Sequence, residues 1–369
     1  MTARRKLTDL FQPHLQDMKA YVAPDPPEVL AARLGIPASE IIKLDGNENP
    51  YGSSPKVALA LQDHPWYHVY PDAAQRGVRQ ALSEYVGIDP DCLIAGFGSD
   101  ELIDLLARLF LGIGDETIDL PPTFGMYPIV VETQGGRVIS VPRTEDFQVD
   151  VEQVLSAVTK NTKLVFLANP NNPTGNMSSE ETIRQMLGLD LIVVVDETYY
   201  EFCGKTVAHL VDEYENLVVL RTLSKWAGLA GLRLGYGIMN PVIVERLMTI
   251  KPPFNLTVAT EVALVATLAD RQLLMERVHL LVQERERMAS LITTKVPGVH
   301  CFPSEGNFLL CKFPHGIAAK VQSALAQRGV FVRHFSDPRI SDCLRISVGK
   351  PDQTDTLIKN LVKIIEELL

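Results

Sequence analysis

Between residues 92 and 239, seven short apolar runs alternate with segments of helical periodicity. The runs are CLIAG (92–96), ETIDL (116–120), GRVISV (136–141), KLVFLA (163–168), LIVVVD (191–196), NLVVLRTL (216–223) and LGYGIM (234–239). Strands this apolar must be covered on both faces, and helices interleaved with them supply the cover. The pattern predicts an α/β fold: a mostly parallel, mixed sheet sandwiched by helices. At 369 residues the chain exceeds one ordinary core, so a second domain is expected. Residues 1 to 45, with the proline cluster at 23–27, read as an N-terminal arm that contributes to that smaller domain. Residues 46–255 read as the large domain, closed by the KPPFN break at 251–255. Residues 256–369 read as a connecting helical stretch to about Thr294 and a small α+β domain. Its strands are expected near NFLLCKF (307–313), VFVRHF (330–335) and CLRISVG (343–349), and its last helix over 354–369.

Composition excludes several classes. A net charge of -10 argues against a nucleic-acid partner, and the one basic cluster, Arg4, Arg5 and Lys6, belongs to a chain end. The five cysteines are odd in number and widely spaced, with no CxxC pair, which suits reduced thiols and no metal site. No apolar run reaches the roughly 20 residues that span a bilayer, and MTARRKLTDLF lacks the apolar core of a secretory signal. The expectation is a cytoplasmic protein without a membrane partner.

In open parallel sheets ligands gather beyond the carboxyl ends of the strands. Four such ends carry polar residues here. KLVFLA runs into NPNNPTG (169–175), where Asn172 offers an amide to a ligand oxygen; taken alone, the asparagines could equally only shape turns. LIVVV ends in Asp196, with Tyr199 behind it, and a carboxylate there needs a partner, which a salt bridge or a helix cap could also satisfy. NLVVLRTL ends in Thr222, Ser224 and Lys225, followed by Arg233 among glycines 228, 231, 235 and 237. A lone lysine after a strand is usually a solvated charge, but small neighbours let the backbone approach a ligand and admit the arginine. CLIAG passes through a glycine turn into a helix beginning near Ser99, whose free amides suit a phosphate. Glu101 stands where a dinucleotide fingerprint requires its third glycine, so a nicotinamide oxidoreductase is disfavoured.

Together the four ends describe a ligand with a phosphate, a cationic ring nitrogen facing Asp196, an oxygen facing Asn172 and Tyr199, and a carbonyl carbon near Lys225. Pyridoxal 5'-phosphate has all four features. No metal is called for.

The stretches GNENPYGSSP (46–55), VYPD (69–72), GSDELID (98–104), PPTFGMY (121–127), NPNNPTG, VVDETYYEF (194–202), TLSKWAGLAGLRLGY (222–236) and LRISVG (344–349) resemble those of the histidinol-phosphate aminotransferases, which belong to the aspartate-aminotransferase-like enzymes of fold type I. The resemblance covers most of the chain. It implies that Lys225 carries the cofactor as a Schiff base and moves the substrate proton, with Asp196 on the ring nitrogen and Tyr199 and Asn172 on the ring oxygen. Phe124 matches the aromatic residue stacked on the ring. Phosphate ligands would be Ser224, Arg233, the Ser99 and Asp100 amides, Thr222, and Tyr70 reaching across from a second subunit, which implies a homodimer. Arg345 matches the arginine that receives the substrate's acidic group, with Arg333, Tyr21 and Asn47 as further substrate contacts. Trp226 and Phe254 depart from the family's usual residues and bear on substrate scope.

The resemblance implies ping-pong transamination between L-histidinol phosphate and 2-oxoglutarate, in histidine biosynthesis. An aromatic amino-acid aminotransferase and a threonine-phosphate decarboxylase share the scaffold and remain alternatives. A cofactor-binding regulator without turnover is disfavoured by the complete catalytic equipment.

Overall fold

The computed structural model describes residues 5–368; Met1 to Arg4, at the start of the expected arm and of the basic cluster, and Leu369, at the end of the expected last helix, lie outside the described residues. Among the described residues twelve strands form two sheets. They are β1 (Ile42–Leu44), β2 (Leu93–Phe97), β3 (Glu116–Asp119), β4 (Arg137–Ser140), β5 (Thr162–Ala168), β6 (Ile192–Asp196), β7 (Leu217–Thr222), β8 (Leu234–Met239), β9 (His300–Cys301), β10 (Phe308–Lys312), β11 (Val330–His334) and β12 (Cys343–Ser347).

All seven apolar runs enter one sheet, in the order β2-β8-β7-β6-β5-β3-β4. Pairing is parallel from β4 through β7, while β8 runs antiparallel to both β7 and β2. Successive residues of the central strands face opposite cores: Val193 and Val195 join one hydrophobic cluster, Val194 the other, and Val165 and Leu167 alternate with Leu164 and Phe166 in the same way. Each such side chain, buried completely, contributes about 1.5–3 kcal/mol, so neither face tolerates a polar residue until the strand ends.

The second sheet has the order β1-β11-β12-β10-β9. β1 comes from the arm and pairs in parallel with β11, Ile42 opposite Val330. β1 and β9 are not anticipated by pattern, because two or three residues are too short to show alternation; each exists through its partner strand. The arm also contributes a helix, Pro27–Leu34, with proline at its first position, ending on Gly35 in the left-handed conformation (φ 68°). Its Leu30 and Ala31 pack with Ile41 and Phe331 of the small sheet.

The single helical stretch expected after 255 is two helices, Val258–Leu268 and Arg271–Lys295. Asp270 breaks them: it leaves helical geometry at φ -121°, and its carboxylate takes Lys56 at 2.8 Å and the Ser54 hydroxyl. The last helix starts at Pro351, three residues before the expected start. No helix of the described residues is long and apolar enough to cross a membrane.

Candidate active site

The carboxyl ends of β5, β6 and β7 open into a cavity of about 420 Å³ that the second sheet covers from the other side. Fourteen of the fifteen residues singled out in the sequence line it; Tyr70 does not.

Asp196, the last residue of β6, forms part of the floor and is 5% exposed. One carboxylate oxygen accepts the Tyr127 hydroxyl at 2.8 Å, and the other accepts the hydroxyl and amide of Thr198 at 2.6 and 3.1 Å. Burial pushes its proton affinity above the ordinary carboxylate range, against the pull of these hydrogen bonds. Among the described residues no cationic side chain forms an ion pair with it. A buried carboxylate held by neutral donors alone is a place for an incoming cation.

Lys225 leaves the turn after β7 and donates through Nζ to the Gly46 carbonyl at 3.1 Å. Burial, and then the nearby Arg345 guanidinium, bring its ammonium down to about 8, with Glu48 and Asp100 pulling the other way. Such an amine is a usable base and nucleophile near neutral pH.

One end of the cavity is built for an anion. The helix Gly98–Phe110 points its amino end there, with Ser99 and Asp100 in its first turn. Two glycines make the approach possible. Gly98 has φ +77°, and a Cβ on it would strike the Arg233 guanidinium; a Cβ on Gly235 would strike the Ser99 amide. Arg233 itself adopts φ 51° and donates to Asp100 at 2.7 Å. The Thr222 hydroxyl bonds the Leu234 carbonyl and the Ser224 amide, at 2.9 and 3.1 Å, and so fixes the turn that presents Ser224 and Lys225.

The opposite end comes from the small sheet. Arg333 and Arg345 are register partners on β11 and β12. Arg345, 7% exposed, donates to the Asn172 side-chain oxygen at 2.7 Å and to the Asp45 carbonyl at 2.5 Å, while its Nε has no partner. Burial lowers its proton affinity. Arg333 donates to the Val22 carbonyl at 2.8 Å. Among the described residues neither arginine pairs with a carboxylate, and like charges placed directly opposite each other repel, which an anion bound between them relieves.

The remaining contacts fill the space between the two ends. Tyr199, pushed up to about 12 by burial, accepts from the Asn47 amide at 2.8 Å. Asn47 holds a left-handed backbone (φ 53°) and exchanges two hydrogen bonds with Ser347, at 2.9 and 2.8 Å. The 169–175 loop divides its labour: Asn171, fully buried, bonds Pro122, Thr123 and Thr174 and shapes the turn, whereas Asn172 faces the cavity. Phe124 lies edge-on to Tyr21 and Tyr127, with ring centroids 6.3 and 5.5 Å apart.

Three residues need a different account. Tyr70 is 78% exposed outside the cavity and stacks on Phe254 at 4.4 Å. Trp226 is fully buried, stacked on Tyr85 at 5.7 Å, and absent from the cavity wall, so its ring belongs to the core. Tyr127 was not singled out in the sequence, although it ends the PPTFGMY stretch three residues after Phe124; that one-turn spacing, placing both on one side of the helix start, was the available signal.

The residues present fit pyridoxal 5'-phosphate. An anion cradle that two glycines keep open, a buried carboxylate lacking a cation and a lysine of depressed proton affinity face one cavity. A sequence profile described as Aminotransferase class I and II matches residues 39–363. The fold is that of the fold-type I enzymes that work through pyridoxal phosphate. The chain is 48% identical to the histidinol-phosphate aminotransferase of Roseiflexus castenholzii, over 97% of this chain and 99% of that one. It is 44% identical to the chloroplastic histidinol-phosphate aminotransferase of Nicotiana tabacum, over 97% of this chain and 87% of that one. The crystal structure of the Sinorhizobium meliloti histidinol-phosphate aminotransferase in complex with pyridoxal-5'-phosphate superposes with a TM-score of 0.88 at 27% identity, covering 98% of each chain. The chain belongs to the class I and II aminotransferases and, within them, to the histidinol-phosphate aminotransferase family.

Proposed function

We propose that the chain transfers an amino group between L-histidinol phosphate and 2-oxoglutarate, giving imidazole acetol phosphate and glutamate, in histidine biosynthesis. The observation that carries this reading is the pair of register-matched guanidiniums, Arg333 and Arg345, facing a cavity whose far end is a separate anion cradle. The anion-binding cradle suits the cofactor's phosphate. The other end suits a substrate that presents a phosphate in one half-reaction and a carboxylate in the next.

Ser224, Arg233 and the first amides of the Gly98–Phe110 helix would hold the cofactor's phosphate, with Thr222 fixing the turn beneath. Asp196 would face the ring nitrogen, Tyr199 and Asn172 the ring oxygen, and Phe124 the ring face. Bound there, the cofactor supplies an electron sink that acidifies the substrate's Cα–H bond. Lys225 would hold the cofactor covalently, and its Nζ, once free, would take the proton from the substrate's Cα. Its depressed proton affinity keeps that nitrogen able to accept. Arg345 orients the acidic group so that the Cα–H bond faces Lys225, and the small sheet above the cavity limits water at the reacting carbon.

The same reading takes the protein as a cytoplasmic homodimer in which Tyr70 of one subunit reaches the phosphate of the other. It also keeps the division of the chain at residues 45/46 and 255/256. A donor panel tests the function: histidinol phosphate and glutamate should each convert the bound cofactor to its amino form, read by absorbance. Release of carbon dioxide from threonine phosphate, or faster turnover of phenylpyruvate than of imidazole acetol phosphate, would replace this reading with one of its scaffold relatives.

A further inference from the structure

Four carboxylates border the cavity: Asp45, Glu48, Asp100 and Asp196. Three are committed. Asp100 holds Arg233 at 2.7 Å, Asp196 is gripped by Tyr127 and Thr198, and Asp45 is ion-paired to the Lys43 ammonium at 3.0 Å, its Oδ1 without a hydrogen bond but buried, with only 11% of the side chain exposed to an incoming group. Glu48 differs. Its side chain is 48% exposed, its Oε2 takes Lys43 at 2.9 Å, and among the described residues its Oε1 meets no donor.

Its position is beside the reacting centre. The Glu48 carboxyl carbon packs over Gly46, where a Cβ would come within 3.1 Å of it, and the Gly46 carbonyl is the group that receives Lys225 Nζ at 3.1 Å. Because Lys225 must reach the substrate's Cα, a side chain flanking its hydrogen-bond partner borders the substituents of that carbon. One of those substituents is claimed by Arg333 and Arg345. The other is the substrate's side chain.

A carboxylate oxygen without a partner makes a chemical demand on that side chain. A ring with an N–H donor satisfies the oxygen; a phenyl ring displaces its water and returns nothing. We propose that Glu48 is the specificity-determining residue for the substrate's ring, accepting the imidazole N–H through Oε1 while Lys43 holds Oε2 in place. This rests on the histidinol-phosphate reading above and adds to it the residue that reads the ring.

The test compares wild type, Glu48→Gln and Glu48→Ala in single-turnover reactions with three amino donors: histidinol phosphate, phenylalaninol phosphate and glutamate. Phenylalaninol phosphate keeps the amine and the phosphate and replaces the imidazole with a slightly larger ring that has no N–H donor. Glu48→Ala should lose about 10- to 100-fold in kcat/KM on histidinol phosphate, the range for one hydrogen bond to a charged group. That loss should exceed the loss on either other donor at least about tenfold, with most of it in KM. Glu48→Gln, whose amide oxygen still accepts, should recover part of it. Equal losses on all three donors, with melting temperatures unchanged, would overturn the assignment and leave Glu48 as a modulator of Lys225. A wild-type enzyme that fails to use histidinol phosphate at all would instead overturn the functional reading, and this inference with it.

Discussion

The two ends of the cavity are built differently. The cofactor end draws on one sheet and its connections: Asp196 and Thr222 end strands of that sheet, Ser99 and Ser224 lie two residues beyond strand ends, and Arg233 immediately precedes β8, and these groups are bonded among themselves. The acid-receiving end is assembled across the chain. Arg345 reaches Asn172 of the large sheet's loop and the carbonyl of Asp45, 300 positions away, and Arg333 is tied to the Val22 carbonyl of the arm. One end is a fixed socket. The other joins three segments that nothing but tertiary contact holds together, so an acid bound there would also bridge the arm, the large sheet and the small one. Damage at the socket should abolish chemistry, and damage at the joined end should weaken the use of acids, of both donors at Arg345 and of the phosphate more than the carboxylate at Arg333.

Lys225→Ala breaks the socket most severely. Loss of the proton carrier alone removes about 10²–10⁴-fold in rate, and loss of the covalent anchor adds to it. Single-turnover conversion of glutamate measures the defect, and borohydride should no longer fix the cofactor to the peptide around residue 225. The same amine has a pH signature in the cofactor-free protein. Its folded value of about 8 lies below the ordinary lysine value of 10.5, so between those limits the unfolded chain binds more protons. Stability from this group therefore rises with pH across that window and is absent below about 8. Melting temperatures of wild type minus Lys225→Met, followed from pH 7.5 to 10.5, should increase; a flat difference would mean that the amine is not desolvated.

Asp196→Asn keeps the shape and removes the charge that would face the ring nitrogen; the amide oxygen still accepts from Thr198, and the amide nitrogen donates to the Tyr127 oxygen where the carboxylate accepted. Roughly 10²–10³-fold in kcat is expected, the scale for one electrostatic stabiliser in a dry site. Because Tyr127 and Thr198 already satisfy both oxygens, the fold should survive, and an unchanged melting temperature alongside the lost rate distinguishes the charge from packing.

At the joined end, Arg345→Lys exchanges a two-pronged donor for a point charge and should cost about 10- to 100-fold on both histidinol phosphate and glutamate. Arg333→Ala should weaken the phosphate substrate more than glutamate. Equal losses for Arg333→Ala on the two donors would remove it from the phosphate's contacts. An unaffected Arg345→Lys would move the acid site elsewhere.

The contrast also explains what the sequence makes legible. A strand end is local: an apolar run followed by Asp196, or by Ser224 and Lys225, announces the socket without knowledge of the fold. Arg345 and Arg333 emerge only through resemblance, since nothing near LRISVG or VFVRHF indicates that they become neighbours in register. β1 is invisible for the same reason: Ile42–Leu44 is a strand only because Val330–Val332 lies beside it. Tyr127 and Glu48 lie inside quoted motifs, yet their roles depend on which side of the cavity they face, and Trp226, conspicuous beside Lys225, turns out to fill the core.

Tyr70 belongs to neither end within one chain, and it is the smallest and sharpest test of the comparison. The segment carrying it is tied to the 251–254 loop: Lys251 Nζ donates to the Ala73 carbonyl at 3.1 Å, and the Tyr70 ring stacks on Phe254. A ring so firmly placed, yet 78% exposed, has its hydroxyl available to a second molecule. If that molecule is another copy of the chain, the socket is completed from outside, and Tyr70→Phe should weaken cofactor binding by about 1.5–3 kcal/mol, the range for one hydrogen bond to a charged acceptor. Equilibrium titration of cofactor-free protein measures this directly, without reference to turnover. Mixing an inactive Lys225→Ala chain with a strongly impaired Tyr70→Ala chain should then restore activity in hybrid dimers, because one of the two shared sites would receive both an intact Lys225 and an intact Tyr70. Verified hybrids that stay inactive, or a Tyr70→Phe protein that binds the cofactor as tightly as wild type, would confine the socket to a single chain.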